Sequence, residues 1–168
     1  MKKRIKLIKD IGSVNMQVVY QGTNVKVDYP KIIPGKFTKD FGNGFYCTIL
    51  KEQAIRWAKK YDTSIVNIYE YKENSNLKIK EFNLMTEEWL DFIIAQRSGK
   101  KHDYDIVVGQ MADDQVYNYI TDLVSGNITR EAFWELAKFK HPTHQITFCT
   151  ERSLKCLKFL DSEDVSYE

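Results

Sequence analysis

The sequence has few of the residues that interrupt or cross-link a chain. Its 168 residues include eight glycines, three prolines and three cysteines. The cysteines, Cys47, Cys149 and Cys156, are odd in number and fit no disulfide framework, so we expect reduced thiols and a cytoplasmic location. No apolar run approaches the roughly 18 residues of a membrane helix. The basic first residues also lack the apolar stretch of a signal peptide. We therefore expect no membrane partner.

Charge is nearly balanced, with 25 basic and 23 acidic side chains and a formal net charge of +2. So small an excess gives no general reason to expect binding to nucleic acid or to a membrane surface. The ends differ, because residues 1–15 form a basic arm and residues 161–168 form an acidic tail. The arm could contact an acidic partner, although a frayed, solvated end is the simpler interpretation. Residues 16–160 are predicted to form a single domain.

Hydrophobic patterning predicts a mixture of short strands and helices. Segments such as MQVVYQGT and SIVNIYEY are rich in β-branched residues or alternate in polarity, and about six strands are expected. Four or five helices are expected from KEQAIRWAKKY, TEEWLDFIIAQR, DDQVYNYITDLVSG, TREAFWELAKF and ERSLKCLKFL. Thr86, Thr129 and Thr150 stand where N-caps belong. The fold class predicted is α+β, because the alternation is too irregular for a doubly wound sheet.

The common catalytic and nucleotide-binding motifs are absent from the sequence. GNG at 42–44 fails the dinucleotide fingerprint, because Cys47 stands where a third glycine is required. The potential zinc ligands near the C-terminus are His141, His144, Cys149 and Cys156. Their spacing lacks the tight pairs of a zinc site, so we predict no metal site. No serine or cysteine lies in a recognised nucleophile motif.

Several charged residues have simple structural interpretations. The acidic pairs Glu87-Glu88 and Asp113-Asp114 stand at predicted helix starts, where the helix dipole favours them. Asp105 precedes an apolar strand and is interpreted as a strand-end turn residue. Arg97 could bind phosphate, but an exposed salt bridge is the default. His102 is expected at the surface, with a role as a loop base as the alternative.

Polar and aromatic residues recur at predicted strand ends in three segments that lie far apart in the sequence. YQGT (Tyr20–Thr23) ends the first strand, DFGNGFYCT (Asp40–Thr48) enters the second, and QITF (Gln145–Phe148) is a late strand. Glycine allows a backbone and a ligand to approach closely, and the Phe-Tyr pair can present an aromatic ring to a flat ligand. A hairpin corner with packed aromatic residues is the alternative.

In this order, the three segments resemble the ADP-ribosyltransferase superfamily, and within it a bacterial family long catalogued as a domain of unknown function. That family typically has a tyrosine-histidine-glycine-threonine strand, an aspartate-phenylalanine-glycine-x-glycine-phenylalanine-tyrosine block and a late glutamine-x-x-phenylalanine strand. The segments EQAIRWA, EWLDFI, YDIVVGQMADD and TERSLKCLKF extend the resemblance to most of the chain, from about Met16 to Phe159. It implies a split, two-sheet α+β fold with surrounding helices, and NAD bound as co-substrate in the cleft between the sheets.

The resemblance also implies roles for individual residues. The cofactor-binding set would be Gln21, Gly22, Thr23, Gly44, Phe45 and Tyr46, and the catalytic residues would be Gln145 and Tyr46. Gln21 would hold the NAD ribose, and the Tyr46 ring would stack against the positively charged nicotinamide. Gln145 occupies the place of a glutamate that binds the ribose next to nicotinamide and favours departure of that ring through an oxocarbenium-like state.

Two residues depart from the superfamily pattern. Gln21 stands where histidine or arginine is usual, but its amide can still donate and accept hydrogen bonds. Gln145 carries no negative charge, so it should stabilise a developing cation less well than a carboxylate would. Glutamine at this last position is usual in the bacterial family, whereas Gln21 is particular to this chain.

The resulting prediction is an NAD-dependent mono-ADP-ribosyltransferase that acts on an unknown macromolecular acceptor, either protein or nucleic acid. A bacterial toxin or phage-conflict protein is the setting implied, with an antitoxin-like protein as a candidate partner. One alternative is an NAD glycohydrolase that uses water as acceptor. A second is a catalytically inactive module that binds NAD or a protein partner. A third is a small α+β domain in which Tyr46 and Gln145 are core and strand-edge residues.

Overall fold

The computed structural model describes residues 16–35, 39–138 and 143–167, so the basic arm and His141 lie outside the described residues. The elements in chain order are β1 (Met16–Thr23), β2 (Phe45–Cys47), α1 (Lys51–Ala58), β3 (Ile65–Lys72), β4 (Ile79–Glu81), α2 (Glu87–Arg97), β5 (Ile106–Gly109), α3 (Asp114–Val124), α4 (Arg130–Ala137), β6 (Gln145–Phe148), α5 (Glu151–Leu154) and β7 (Leu157–Asp164). This mixture of two sheets and five helices in the described chain confirms the α+β class.

The strands form two separate sheets. A three-stranded sheet has the order β1-β3-β7 and is antiparallel throughout. A four-stranded sheet has the order β2-β6-β5-β4, in which the β4–β5 pair is parallel and the other pairs are antiparallel. Reciprocal backbone hydrogen bonds of 2.8 and 2.9 Å between Tyr20 and Thr48 connect the two sheets. The end of β1 therefore lies beside β2.

Both faces of the four-stranded sheet are covered, whereas the three-stranded sheet is covered on its inner face and only partly on its outer face, where Met16 and Val18 stay exposed. Alternate residues of a strand point to opposite faces, and Val19 and Tyr69 of the first sheet pack with Ile146 and Phe148 of the second. The opposite face of the four-stranded sheet packs against α2, α3 and α4, and Trp89 and Phe133 are fully buried there. The outer face of the three-stranded sheet packs against α1 through Ala54 and Ala58. The layers are thus α1, three-stranded sheet, four-stranded sheet and the α2–α4 helices.

The helix starts agree with the predictions. The hydroxyls of Thr86, Thr129 and Thr150 each accept a hydrogen bond from a backbone N–H in the first turn, at 3.1–3.3 Å. Asp113 caps α3 in the same way through two such bonds of 2.9 and 3.0 Å. Gly126 follows α3 with a φ of 77°, the left-handed conformation that ends a helix and that glycine adopts without strain.

The C-terminal segment differs from the prediction. The pattern of ERSLKCLKFL predicts a helix, but α5 ends at Leu154 and Leu157–Asp164 form β7. The helix prediction is confirmed for Glu151–Leu154 and wrong beyond it, because tertiary pairing decides the rest of this segment. β7 hydrogen-bonds the edge of β3 that β1 leaves open, and Leu157 and Phe159 pack on the core between the sheets. The acidic residues 161–164 lie in this strand.

Two further properties concern the chain's environment. Cys47, Cys149 and Cys156 are all free thiols, as expected from their number and spacing. None of the helices in the described residues is long and apolar enough to cross a membrane.

A buried carboxylate, Asp105, connects three segments at the start of β5. It is 1% exposed and accepts hydrogen bonds from the backbone N–H of Lys78 (2.8 Å) and the hydroxyl of Thr150 (2.7 Å). The guanidinium of Arg152 donates two more, at 2.6 and 2.7 Å. The bonds from Arg152 are the largest cause that holds the pKa of Asp105 well below its usual range. The structure therefore confirms a structural role for Asp105 at a strand end.

Asp105→Asn is expected to lower the free energy of unfolding by about 1.5–3 kcal/mol, because it replaces charge-assisted hydrogen bonds with weaker neutral ones. The asparagine NH₂ group would also face N–H or O–H groups that need an acceptor. Urea-induced unfolding at pH 7 measures the loss. Asp103→Asn is the matched control, since Asp103 pairs with Lys78 at the surface and its side chain is 78% exposed. That variant should change stability by less than about 1 kcal/mol. Equal losses in the two variants would contradict the role given to Asp105.

Candidate functional site

One cleft contains all the residues that the sequence analysis selected for ligand binding. Its volume is about 780 Å³, within the range of roughly 300–1,000 Å³ that small-molecule sites occupy. It lies where the ends of β1 and α1, the edge strand β2, and the starts of α3 and β6 meet. The selected residues that line it are Gln21, Gly22, Thr23, Gly44, Phe45, Tyr46 and Gln145. A second cavity of about 400 Å³, beside Gly42 and His102, contains none of them.

Gln21 is oriented by a buried asparagine. Asn67 is fully buried, and its side-chain oxygen accepts a hydrogen bond from the backbone N–H of Val27 (3.1 Å). Because a backbone N–H can only donate, this bond fixes the orientation of the Asn67 amide. Its nitrogen then donates to Oε1 of Gln21 and to the carbonyl of Val25, both at 3.0 Å. Nε2 of Gln21 makes no hydrogen bond within the described residues, so it is available as a donor to a ligand.

Gly22 is required by packing against α1. A Cβ at this position would lie 1.9 Å from the carbonyl oxygen of Ala54 and 2.7 Å from the backbone nitrogen of Ala58. The helix can therefore approach β1 because residue 22 has no side chain. This places the end of α1, with Trp57, along the cleft beside Thr23, the last residue of β1. The glycine thus shapes the cleft through the position of the helix.

The Asp40–Gly44 loop is held from three directions. Asp40 forms an ion pair with Arg97 at 2.6 Å, and each side chain is 12% exposed. The other carboxylate oxygen of Asp40 accepts the backbone N–H of Ala112 (2.9 Å). His102 contacts the carbonyl of Phe41 through Nε2, at 2.9 Å. The expectation of an exposed Arg97 salt bridge was wrong, and His102 is half-buried, because both residues anchor this loop from the core side.

Tyr46 provides a further anchor through its hydroxyl group. The hydroxyl donates to the carbonyl of Gly42 (2.6 Å) and accepts the backbone N–H of Phe41 (3.1 Å). Burial is the largest cause that raises the pKa of Tyr46 far above its usual value, so the hydroxyl stays protonated. Gly42 adopts a φ of 82° to make this turn, a conformation that other residues rarely reach. The ring borders the cleft while its hydroxyl is fixed in the protein.

Gly44 and Phe45 serve mainly to seat β2 against its neighbours. A Cβ on Gly44 would lie 2.5 Å from the Thr147 methyl carbon and 2.8 Å from the Phe148 carbonyl. Phe45 is 5% exposed and makes an edge-to-face contact with Tyr69, with ring centroids 5.6 Å apart. Both aromatic residues of FYCT line the cleft, but Phe45 is mainly a core residue and Tyr46 is the less buried of the two.

Gln145 is a buried amide at the start of β6. It is 4% exposed, and its Nε2 has no hydrogen-bond partner in the part of the chain that the structure describes. The strand pairing places Tyr46 opposite Thr147, so Tyr46 and Gln145 share one face of the sheet. The preceding residue, His144, is clamped by Gln53 of α1, whose amide donates to its carbonyl and accepts its N–H. Sequence reasoning missed this clamp.

Three residues that position the site had no assigned role in the sequence analysis: Asp40, Gln53 and Asn67. Asn67 interrupts an otherwise apolar strand core in SIVNIYEY, and a polar residue there is a usable signal for a buried hydrogen-bonding role. Gln53 sits among charged residues at a helix start, and nothing in its local pattern distinguishes it from an exposed residue. Asp40 lies in the DFG segment, but its partner Arg97 is 57 residues away.

Basic side chains outnumber acidic ones in the cleft. Lys31, Lys39 and Lys60 line it, and no ion pair involving them is found within residues 16–35, 39–138 and 143–167. Of the two carboxylates that line the cleft, Asp40 is neutralised by Arg97 and Asp114 begins α3. The cleft therefore suits an anionic ligand. Among the described residues, no group of three or more His, Cys, Asp or Glu side chains could hold a metal ion.

A family model matches residues 17–159, which includes every residue of the cleft discussed above. Its description is "Protein of unknown function (DUF3990)". The chain belongs to the DUF3990 family. No curated protein and no solved structure matches the chain. Membership in DUF3990 therefore supplies no activity, and the function has to be argued from the cleft itself.

Tyr46→Phe is expected to lower the free energy of unfolding by about 1–3 kcal/mol, because it leaves the Phe41 N–H and the Gly42 carbonyl without their partner. The ring, and with it any stacking surface, is retained. Chemical denaturation measures the loss. Tyr61→Phe is the control, since Tyr61 also borders the cleft but is 47% exposed. It should stay within about 0.5 kcal/mol of the natural protein. A Tyr46→Phe variant of unchanged stability would show that the hydroxyl does not hold the loop.

Stability should also depend on the neutral form of His144. Burial lowers the pKa of His144 to about 4, from an ordinary value of 6.5. Between these values the unfolded chain binds the proton and the folded chain does not, so stability is complete above about pH 6.5 and falls towards pH 4. The full effect is about 3 kcal/mol. Urea unfolding between pH 7 and 4.5 should show a shallower pH dependence in His144→Asn, whose side-chain oxygen can still accept the Ile49 N–H. Parallel profiles in the two proteins would refute this.

Proposed function

We propose that the chain is an NAD-dependent mono-ADP-ribosyltransferase with an ADP-ribosyltransferase-like arrangement of its two sheets. The support is that residues from distant parts of the sequence meet in one cleft. Three segments that are far apart in the sequence contribute all seven residues that the resemblance selected, and these residues line one cleft. A chance match of short motifs has no reason to bring its positions together in three dimensions.

The observation that carries the proposal is the unpartnered amide of Gln145. A buried polar group without a hydrogen bond costs about 1–3 kcal/mol, yet Gln145 is 4% exposed and its Nε2 has no partner among the described residues. The nearby buried amides of Asn67 and Gln53 have their hydrogen bonds made within the protein. A ligand that brings hydroxyl groups into the cleft would satisfy Gln145 once its buried Nε2 turns towards the cleft that the residue lines, and a ribose is such a ligand.

The other cleft residues fit the remaining parts of NAD. Nε2 of Gln21 can donate a hydrogen bond to the second side of a ribose, since its oxygen is already held by Asn67. The face of Tyr46 can attract the cationic nicotinamide ring. The lysines of the cleft, Lys31, Lys39 and Lys60, provide positive charge for a diphosphate. The cleft volume of about 780 Å³ is sufficient for a ligand of this class.

In the proposed reaction, the bond between ribose C1′ and the nicotinamide nitrogen breaks, and nicotinamide leaves with the bonding electron pair. A nucleophilic atom of the acceptor bonds to C1′ and releases its proton. Gln145 would orient the ribose through its hydroxyl groups, and its carbonyl dipole would offer partial stabilisation to the developing positive charge. The acceptor is a protein or nucleic acid of unknown identity. In the setting of a toxin or phage-conflict protein, an antitoxin-like protein would be its partner.

Proton NMR of NAD incubated with the protein tests this proposal by the release of nicotinamide. We expect release by the natural protein and at least a tenfold slower release by Tyr46→Ala and by Gln145→Ala, because each removes a contact with the reacting end of NAD. Gln145→Glu should accelerate release, since a carboxylate stabilises a developing cation better than an amide does. Gln17→Ala is the control: Gln17 is also in β1 but is exposed, outside the cleft.

The same experiment separates the alternatives. Release without any added acceptor, at a rate that added protein or nucleic acid leaves unchanged, would favour an NAD glycohydrolase. Shifts of the NAD resonances without release would favour a catalytically inactive NAD-binding module. Neither release nor shifts, with the same result when cell extract supplies acceptors, would refute the proposed use of NAD.

A further inference from the structure

One face of the Tyr46 ring already carries a positive charge. Nζ of Lys39 lies 4.8 Å from the centroid of the Tyr46 ring, within the roughly 6 Å of a cation–π contact. Both side chains line the same cleft, so the contact between Lys39 and the Tyr46 ring lies at the edge of the ligand space. A flat ligand that stacks on this face must therefore replace the ammonium group.

Of the two side chains, Lys39 is the one that can move. Tyr46 is fixed by its hydroxyl, which bonds Gly42 and Phe41 at 2.6 and 3.1 Å. Lys39 is an exposed residue whose ammonium group is partly covered where it meets the Tyr46 ring, and the described residues offer it no carboxylate partner. Its stem has four rotatable bonds. Moving the Lys39 ammonium group away from the ring therefore loses the free energy of its contact with Tyr46 and little else.

We propose that Lys39 occupies the ring-binding position of the cleft in the free protein, that a cationic nicotinamide ring displaces it, and that the displaced ammonium then binds the diphosphate of the same NAD molecule. This inference rests on the proposed function, since it specifies how the two halves of NAD are recognised. Lys39 would be a specificity-determining residue, because a ligand ring must displace it from Tyr46. A cationic ring is attracted to Tyr46 strongly enough to do so, whereas a neutral ring is attracted too weakly.

Electrostatics supports both steps. Two cations cannot share one aromatic face at this distance without strong repulsion, since unit charges at about 4 Å repel by several kcal/mol at a protein surface. Burial lowers the pKa of Lys39, which means that its ammonium is incompletely solvated where it lies. An anionic diphosphate beside Lys31 and Lys60 offers the displaced charge a better position.

Fragments of NAD separate the two steps, because each fragment carries one of the two charges. The probes are 1-methylnicotinamide, which has the cationic ring alone, and ADP-ribose, which has the diphosphate without the ring. Isothermal titration calorimetry of the full chain measures each dissociation constant for the natural protein, Lys39→Met, Lys39→Arg and Lys31→Met. Lys39→Met keeps the length of the side chain and removes its charge.

In Lys39→Met, 1-methylnicotinamide should bind about two- to fivefold more tightly, because no cation competes for the ring face, and ADP-ribose should bind two- to fivefold more weakly. Lys39→Arg should leave both constants near those of the natural protein. Lys31→Met, the matched control, should weaken ADP-ribose binding without a comparable gain for 1-methylnicotinamide.

The outcomes distinguish this inference from the proposed function. If both probes bind the natural protein but Lys39→Met changes both constants in the same direction, or changes neither, the Lys39 inference is overturned and NAD binding stands. If neither the probes nor NAD bind the natural protein, both proposals are overturned. Opposite changes for the two probes are the result that the inference requires, and a general loss of structure would not produce them.

Discussion

Two backbone hydrogen bonds between Tyr20 and Thr48 determine where the cleft lies. They are the connection between two sheets that otherwise pack through side chains, and they place the last residues of β1 beside β2. Gln21 follows Tyr20 directly, and Tyr46 precedes Thr48 by two residues, so a polar amide and an aromatic ring are brought to the same opening. The three-stranded sheet contributes the first, and the four-stranded sheet contributes the second. A cleft at a junction of this kind needs both sheets to be formed before any of its residues meet.

The polar groups around the cleft divide into those whose hydrogen bonds are made within the protein and those left available. Asn67, Gln53 and Asp40 are buried or nearly so, and each holds backbone groups from distant parts of the chain. They support the site by fixing the residues around it, as supporting residues do in preorganised sites. The nitrogens of Gln21 and Gln145 differ, because the described residues give them no partner. Gln145 Nε2 is one of the buried side-chain atoms without a hydrogen-bond partner among the described residues, as Oγ1 of the neighbouring Thr147 is, so this edge of β6 has unused hydrogen-bonding capacity that the supporting residues lack.

Much of the fold could be predicted from local pattern, since helix caps, apolar periodicity and polar turns are encoded by neighbouring residues. The threonine caps and the glycine that ends α3 are examples. β7 could not be predicted, because its segment is compatible with helix and strand alike, and the open edge of β3 decides between them. The same holds for Arg97, which is largely covered beside Asp40, its ion-pair partner in a loop far away in the sequence. For Gly22 and Gly44, the sequence predicts a special position, but the reason is close approach to α1 and β6, which no local pattern contains.

A cleft lined mainly by lysines can bind an anionic nucleotide tightly and still cleave it slowly. Under the proposed function, diphosphate recognition would depend on the cleft lysines, which have no carboxylate partners among the described residues. Stabilisation of a cationic transition state depends on negative charge near C1′, and the residues proposed to contact the ribose, Gln21 and Gln145, are both neutral. Of the two carboxylates that line the cleft, Asp40 has its charge committed to Arg97, and Asp114 lies in the first turn of α3. Uniform binding of substrate and transition state does not accelerate a chemical step. On these grounds the cleft should favour tight binding of an anionic nucleotide over rapid cleavage. A partner that supplies a carboxylate near Gln145, whether from the acceptor or from another protein, would then change the rate far more than the affinity.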